Sequence, residues 1–366
     1  MRSLIRKILI YLTWVVAILL SLANLSVFIS PEIFWPIAFL GLLFPFLLIL
    51  NTALFFYWII RIRKLLLLPL IALLISWPNV QNTFQLSGPQ ETLSEKQKPS
   101  EKKLRIFTYN VQVFNLLGSN KFGESQQLML QKIKAEDPDV ICFQEFYVNQ
   151  GKGLHISAID KILSDYPYKH IYWISESSVA KYGLVIYSKY PIIKKRSIGF
   201  QDSYNASIYS DIKFKGDTLR LFNNHLQSIK FNRDDYQFIS NQSKFNQKEK
   251  LKAVQDISNR LKRAFIKRSN QANLLSRKIE ESPYPVIVCG DFNDTPVSYT
   301  YRKIKGELED TFVNAGIGFA NTYVGKFPSY RIDFVFHSKE METKSFRVPY
   351  IEHSDHYPVT AEVVLH

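Results

Sequence analysis

Residues Val286–Pro296 read VIVCGDFNDTP, and this stretch decides how the rest of the chain is interpreted. Four apolar residues, typical of a buried strand, run directly into Gly290. Asp291, Asn293 and Asp294 then follow within four positions. Folding alone does not require such groups at a strand tip, so the stretch predicts a functional site. We expect Asp294 to cap the turn before Pro296.

Eight further segments are rich in branched or aromatic residues and predict strands. They read LRIFTYNV, DVICFQEF, KHIYWIS, GLVIYSKYPII, NASIYSDIKF, LRLFNNHL, RIDFVFHS and PVTAEVVL. Helical patterns cover residues 126–134 and 248–281, the second of them long and amphipathic. Many strands with interspersed helices predict an α/β sandwich, in which two packed sheets are covered by helices.

Polar side chains also stand at the ends of several other predicted strands. They are Asn110, Glu145, Asn224, His225, Asp333, His353, Asp355 and His356. Hard oxygen ligands predominate, which favours Mg²⁺ or Mn²⁺ over zinc. A metal, a positioned water and imidazoles for proton transfer are what phosphate-ester hydrolysis requires. Zinc held by the three histidines is a weaker alternative, because their spacing is not that of a helical zinc motif.

The first eighty residues predict a transmembrane region of about three helices, over 8–29, 35–60 and 65–80. A cleaved signal peptide is the alternative for the first run, and the two later runs weigh against it. The third run is the shortest and contains Pro69 and Pro78, so a region with two spans stays open. The polar segment 81–103 predicts a flexible linker, and 104–366 a catalytic domain.

Basic residues predict the orientation of these helices. They precede the first run and separate the second from the third: Arg2, Arg6, Lys7, Arg61, Arg63 and Lys64. The amino terminus is therefore expected in the cytoplasm of a multi-pass protein. With three spans the catalytic domain lies on the extracytoplasmic (periplasmic) side, and with two it is cytoplasmic.

The chain carries a formal net charge of +14, which favours an anionic partner such as a phosphate ester, a nucleic acid or an acidic lipid surface. Residues 228–282 hold thirteen Lys/Arg against six Asp/Glu. They predict either contact with a nucleic-acid backbone or an anionic membrane, or a solvated helix face. The two cysteines, Cys142 and Cys289, both sit in apolar runs, which predicts that they are buried. Their number excludes a disulfide framework and leaves a single bridge open.

The ordered motifs YNV, FQE, NHLQS, GDFND, RIDFVF and SDHYPV resemble those of the endonuclease/exonuclease/phosphatase superfamily. The resemblance covers residues 104–366. It implies a four-layered, DNase I-like α/β sandwich, here preceded by an all-helical transmembrane segment. It also implies a metal-dependent hydrolase of phosphate esters, in this case a membrane-anchored bacterial member.

The resemblance implies metal ligands and supporting residues. Glu145 resembles the principal Mg²⁺ ligand, with Asn110 beside it. Asp333 resembles an acidic residue that supports a histidine or a second metal. A pairing of Glu176 with His225 is a looser expectation.

The resemblance also implies the catalytic residues. Asp291 would orient or deprotonate the attacking water, and Asn293 would contact the phosphate. His225 would bind the phosphate or protonate the leaving group. Asp355 would fix the imidazole of His356, which would stabilise the transition state or act as a base.

The substrate is less defined than the reaction. The motif around Glu145 reads QEFY rather than QETK, which weakens an abasic-site nuclease. We expect a nuclease-type phosphodiesterase, with a lipid-directed phosphodiesterase of the sphingomyelinase type as an alternative. The remaining alternative is a catalytically silent membrane-bound binding protein, against which the intact Glu145, Asp291 and His356 weigh. The sequence identifies no protein partner.

Overall fold

The computed structural model describes residues 2–61, 64–86, 88, 102–115, 122–149, 151, 153–229, 235, 237–238, 245–325 and 328–366. It divides into two compact units. The first contains Met1–Phe84, Ile229–Leu274 and Asp294–Ile304, and the second contains Gln85–Ser228, Leu275–Asn293 and Lys305–His366. This division does not follow a single boundary near residue 104. Most of the predicted linker 81–103 lies outside the described residues.

Helices occur in both units of the described chain. In chain order they are α1 (Arg2–Ala23), α2 (Pro31–Phe34), α3 (Pro36–Ile60), α4 (Leu67–Thr83), α5 (Gln112–Asn115), α6 (Phe122–Ala135), α7 (Ile156–Ile162), α8 (Gln247–Glu280), α9 (Tyr299–Lys305) and α10 (Thr311–Ala315). Single 3₁₀ turns, Asn24–Val27 and Lys64–Leu66, follow α1 and precede α4.

Three helical segments are long and apolar enough to cross a membrane: Leu4–Val27, Pro36–Ile60 and Lys64–Thr83. The third is the segment that the sequence left marginal. Buried polar side chains join it to the first, since Asn24 Nδ2 donates to Ser76 Oγ (2.9 Å) and Asn79 Nδ2 donates to Asn24 Oδ1 (2.8 Å). Hydrogen bonds of this kind hold helices together in an apolar surrounding.

The segment after the GDFND motif belongs to the same unit as these helices. Val297 is buried in a cluster with residues of α1, α3 and α4, and its carbonyl accepts a hydrogen bond from Ser26 Oγ (3.0 Å). Asp294 accepts from the backbone N–H of the next residue, Thr295, and from the buried Arg268 of α8 (3.0 Å). Asp294 is therefore part of a buried ion pair, which the sequence did not predict.

The strands of the second unit form two six-stranded sheets, ordered β11-β12-β1-β2-β4-β3 and β5-β6-β7-β8-β10-β9. Their bounds are β1 (Lys102–Asn110), β2 (Val140–Asn149), β3 (Tyr168–Glu176), β4 (Ala180–Ser188), β5 (Ile192–Gly199), β6 (Ala206–Phe214), β7 (Asp217–His225), β8 (Val286–Asp291), β9 (Glu309–Asp310), β10 (Asp333–His337), β11 (Met341–Arg347) and β12 (Val359–Leu365).

Alternating side chains place apolar residues on both faces of the first sheet. Leu104 and Ile106 of β1 belong to a core shared with residues of the second sheet, such as Leu221. Phe107 and Tyr109 point the other way and pack with residues of α6 and α7. Two mixed sheets with helices packed on them confirm the expected α/β sandwich.

The structure corrects the strand prediction in three places. The run GLVIYSKYPII divides into β4 and β5, which belong to different sheets and are separated by the chain around Pro191. The sequence patterns missed β9, which is only two residues long, and β11, whose METKSFR sequence is mostly polar. Cys142 and Cys289 are both buried and free, which settles the open question of a bridge between them.

A buried ion pair links two neighbouring strands of the second sheet. Arg220 of β7 donates through Nε and Nη2 to the two carboxylate oxygens of Asp211 on β6, at 2.7 and 2.9 Å. The Arg220 guanidinium also lies over the Tyr209 ring, 4.4 Å from its centroid. Both members line an open cavity of about 610 Å³, to which none of the predicted site residues contributes.

We expect Asp211→Ala to destabilise the protein, because it leaves the Arg220 charge buried without its partner. The loss of unfolding free energy should be about 3 kcal/mol or more. Thermal unfolding of the full chain in detergent would measure it. Glu342→Ala is the matched control, since the exposed Glu342 carboxylate pairs with the half-buried Lys344 and with His366, and its loss should cost at most about 1 kcal/mol. Equal destabilisation by the two variants would contradict the prediction.

Candidate active site

Three neighbouring strands bring three of the predicted residues into one row. His225 ends β7, Asp291 ends β8 and Asp333 begins β10. In the strand register, His225 is paired with Asp291 on one side and Asp333 with Asp291 on the other. Each side chain is almost completely buried. These three polar strand ends therefore meet at one edge of the sheet.

The backbone around Asp291 has an unusual conformation. Gly290 has φ 125°, and a Cβ atom there would lie 2.1 Å from the carbonyl oxygen of Asn224, so a side chain cannot be accommodated. Asn293 has φ 53°, and its backbone N–H donates to Asp291 Oδ1 (2.7 Å). Its Nδ2 donates to Asp291 Oδ2 and to the carbonyl of Leu226, both at 3.0 Å. This turn fixes the Asp291 carboxylate.

Glu145 reaches the site from a bulge within β2, and not from the strand end that the sequence predicted. The pairing of β2 with β4 shifts register between Phe143 and Phe146, and Glu145 has φ 53°. Bulges of this kind redirect a side chain out of the regular alternation.

Asn110, at the end of β1, connects Glu145 to Asp291. Its Nδ2 lies 2.9 Å from Asp291 Oδ2 and 3.5 Å from Glu145 Oε1. His225 Nε2 faces the same two carboxylates, 3.6 Å from Glu145 Oε1 and 3.7 Å from Asp291 Oδ2. Two carboxylates, an amide and an imidazole thus surround one small volume.

Asp333, and not Asp355, holds His356. The distance from His356 Nδ1 to Asp333 Oδ2 is 2.9 Å, whereas Asp355 Oδ1 lies 4.0 Å from Nε2. His356 Nε2 also lies 3.8 Å from Asp291 Oδ2. The sequence-based pairing of Asp355 with the imidazole is therefore wrong, because the start of β10 brings Asp333 to Nδ1 while Asp355 stays beyond hydrogen-bond distance of the ring. The expectation that Asp333 supports a histidine agrees with this geometry.

Burial and neighbouring charges shift the pKa values of the ionisable groups in the site. Burial raises the pKa of Asp291, Glu145 and Asp355, and the nearby His356 opposes each rise. Burial would lower the pKa of His356, but Asp333 and Asp291 outweigh it and raise that pKa to about 10. Burial thus disfavours the negative charge on these carboxylates, and a bound cation would favour it.

The donor set suits a hard divalent cation. Among the described residues, Asp291, Asp333 and His356 form a group whose ligand atoms lie within 4.8 Å of one another. Within the same part of the chain, Asp333 Oδ1 is buried without a hydrogen-bond partner. The predicted ligands divide between two places, because Asn110 and Glu145 lie together while Asp333 is with His356. Neither His225 nor His353 joins this group, which weighs against the zinc alternative.

Two residues that the sequence did not single out position the site. Ser354 Oγ donates to the carbonyl of Asn110 (2.7 Å) and accepts from His356 N (3.1 Å). Gln112 N donates to Asn110 Oδ1 (3.0 Å), and Gln112 Oε1 accepts from Asp355 N (3.2 Å). Ser354 is the first residue of the SDHYPV motif and Gln112 directly follows the YNV motif, which was the only available signal. The expected pairing of Glu176 with His225 is wrong, since Glu176 forms a surface ion pair with Lys181 instead.

Two family models match parts of this chain. The model of the endonuclease/exonuclease/phosphatase family matches residues 107–356. A second family model, described as a domain of unknown function, matches residues 6–83. No curated protein matches the chain.

Two solved structures share the fold at low sequence identity. The catalytic domain of human Nocturnin with a bound sulfate anion is 15% identical, with 72% of this chain and 94% of that chain covered and a TM-score of 0.51. An endonuclease/exonuclease/phosphatase from Bacteroides vulgatus is 19% identical, with 72% and 99% covered and a TM-score of 0.50. At these identities the similarity shows the fold alone.

We expect Asp333→Asn to lower the pKa of His356 in the metal-free protein from about 10 toward or below the ordinary histidine value of about 6.5. The substitution removes the carboxylate that favours the charged ring, while the opposing effect of burial remains. Selective isotope labelling of histidine with an NMR pH titration would measure the change. Asp355→Asn is the matched control and should have a smaller effect. An unchanged titration in Asp333→Asn would contradict the assignment.

Proposed function

The chain belongs to the endonuclease/exonuclease/phosphatase family, and from this membership we propose that it is a membrane-anchored, Mg²⁺-dependent phosphodiesterase. At the level of the family it is a metal-dependent hydrolase of phosphate esters. The observation that carries the finer proposal is the convergence of Asn110, Glu145, His225 and Asp291 beside the Asp333–His356 pair. Nucleic acid is the first candidate substrate.

Glu145 and Asn110 are the proposed holders of the cation, with Asp291 and Asp333 contributing negative charge around it. Carboxylate and amide oxygens are the ligands that Mg²⁺ prefers, and Mn²⁺ would suit the same set. When bound, the ion supplies positive charge against the phosphate oxygens.

Asp291 is the proposed group that orients or deprotonates the attacking water. Its carboxylate is buried and held by Asn110 and Asn293, so its direction is fixed before substrate binds. Both amide hydrogens of Asn293 are engaged by Leu226 and Asp291. Asn293 is therefore better suited to hold Asp291 than to donate to phosphate.

The two histidines are proposed to act on the phosphate and the leaving group. The bond from His356 Nδ1 to Asp333 fixes the ring and leaves Nε2 directed toward the other carboxylates. This arrangement favours stabilisation of transition-state charge by His356. His225, beside Glu145 and Asp291, is the candidate for phosphate binding or for proton transfer to the leaving oxygen.

A phospholipid is the second candidate substrate, and one observation favours it. Val297, four residues after Asn293 in the chain, packs among the three apolar helices, and its carbonyl accepts a hydrogen bond from Ser26 Oγ. Only four positions therefore separate Asn293 in the catalytic turn from a residue that packs among the apolar helices. Such a tether would keep a phosphodiesterase near lipid headgroups.

Activity assays on the full chain in detergent test the proposal. We expect hydrolysis that requires Mg²⁺ and is abolished by chelator, measured on plasmid DNA, RNA, sphingomyelin, glycerophospholipid and bis(p-nitrophenyl) phosphate. Glu145→Gln and His356→Asn should each reduce it by about 100-fold or more. The matched controls Glu176→Gln and His366→Asn change surface residues and should leave it intact.

The pattern of substrates decides between the candidates. Cleavage of nucleic acid alone supports the nuclease, and turnover of lipid alone supports the second candidate. Absence of metal-dependent hydrolysis of every substrate would contradict the proposal and favour a silent binding protein.

We propose that all three apolar segments span the membrane, which would place the catalytic unit on the extracytoplasmic side. The contacts of Asn24 with Ser76 and Asn79 support the third span. We expect a cysteine at exposed Glu307 to react with a membrane-impermeant maleimide on intact spheroplasts, and a cysteine at exposed Arg61 only after lysis. The reverse pattern would indicate two spans. The native cysteines are buried and should not interfere.

A further inference from the structure

Among the residues that the structure describes, few pack against the amino-terminal third of α8, residues 247–258. Leu251 and Val254 are 72% and 53% exposed, whereas Leu261 and Phe265 farther along the helix are buried. Exposed leucine and valine on successive turns are unusual for a helix surface that faces only water. This part of the helix therefore requires an explanation other than solvation.

The exposed residues continue a face that is buried farther along. Helical spacing of 3, 7 and 4 residues places Leu251, Val254, Leu261 and Phe265 on one side of α8. At the buried end of that side, the Phe265 ring packs edge-on against Phe39 of α3, with the centroids 5.4 Å apart. The same apolar face thus contacts a proposed membrane helix and then extends beyond it.

The charged residues around this face are asymmetric. At 100° per residue, Lys248 and Lys250 lie at the two edges of this face, while Glu249 and Asp256, together with Lys252, fall on the far side. Farther along, the Lys262 ammonium lies 5.1 Å from the ring centroid of Trp35, at the start of α3. An apolar stripe between lysines, with acids opposite, is the pattern of a helix that lies in a membrane interface.

We propose that residues 247–258 dock onto an anionic bilayer surface, with Leu251 and Val254 at the boundary of the acyl chains and the lysines against lipid phosphates. This inference rests on the membrane anchoring proposed above, because the face concerned adjoins the anchor helices. A nucleic-acid backbone would use the lysines but would gain nothing from the exposed leucine and valine. The lipid surface accounts for both features.

The test uses the full chain in vesicles, with an environment-sensitive fluorophore on Leu251→Cys and, as the matched control, on Asp256→Cys. Spin-labelled lipids measure how deeply each fluorophore enters the bilayer. We expect strong quenching and a blue shift for position 251 in vesicles that contain phosphatidylglycerol, and little for position 256. Neutral phosphatidylcholine, or about 0.5 M salt, should weaken the effect.

A charge reversal tests the role of the lysines. In the Leu251→Cys background, Lys248→Glu with Lys250→Glu should weaken the surface contact by roughly tenfold or more. Equal quenching at positions 251 and 256, or no dependence on anionic lipid, would overturn the proposal. A response of the label to oligonucleotide but not to lipid would also overturn it. Vesicle flotation separates the two claims, because loss of co-flotation reports failure of the anchor, whereas flotation without quenching reports failure of the α8 contact.

Discussion

The rest of the site depends on the burial of two carboxylates, Asp291 and Asp333, beside the imidazole of His356. Moving a charged group from water into the protein interior costs several kcal/mol of free energy unless a partner compensates. Removing one member of a buried ion pair destabilises a protein by about 3–5 kcal/mol. His356 supplies one partner, and the amides of Asn110 and Asn293 supply others. Asp333 Oδ1 still has no hydrogen-bond partner among the residues that the structure describes. An arrangement that remains short of positive charge is suited to bind a cation and to act on a phosphate ester.

Paired strand ends and a few residues with strained backbone hold the buried polar side chains in place. The parallel pairing of β7 with β8 and the antiparallel pairing of β8 with β10 align His225, Asp291 and Asp333 without loops. Left-handed backbone occurs at Glu145 and Asn293, where it directs or fixes a functional side chain. Strain of this kind persists where the surrounding structure determines it, and it concentrates at functional sites.

The sequence predicted the sandwich and the residues that meet in it, because strand periodicity and polar strand ends are local patterns. It did not predict that Asp333 rather than Asp355 would hold His356, since that choice depends on how β10 approaches a distant loop. It also missed Arg268 as the partner of Asp294, and the grouping of α8 and residues 294–304 with the apolar helices. These contacts join residues that are far apart in the chain, and local sequence periodicity cannot predict them.

We infer that the buried carboxylates are held in place to bind a divalent cation, and we would first measure Mn²⁺ binding by electron paramagnetic resonance. We expect saturable binding to the full chain that Mg²⁺ displaces. Asp291→Asn and Glu145→Gln should weaken the affinity by about tenfold or more, whereas Glu176→Gln should not. If Mn²⁺ does not bind, or binds equally well to both site variants, the buried carboxylates do not form a cation site.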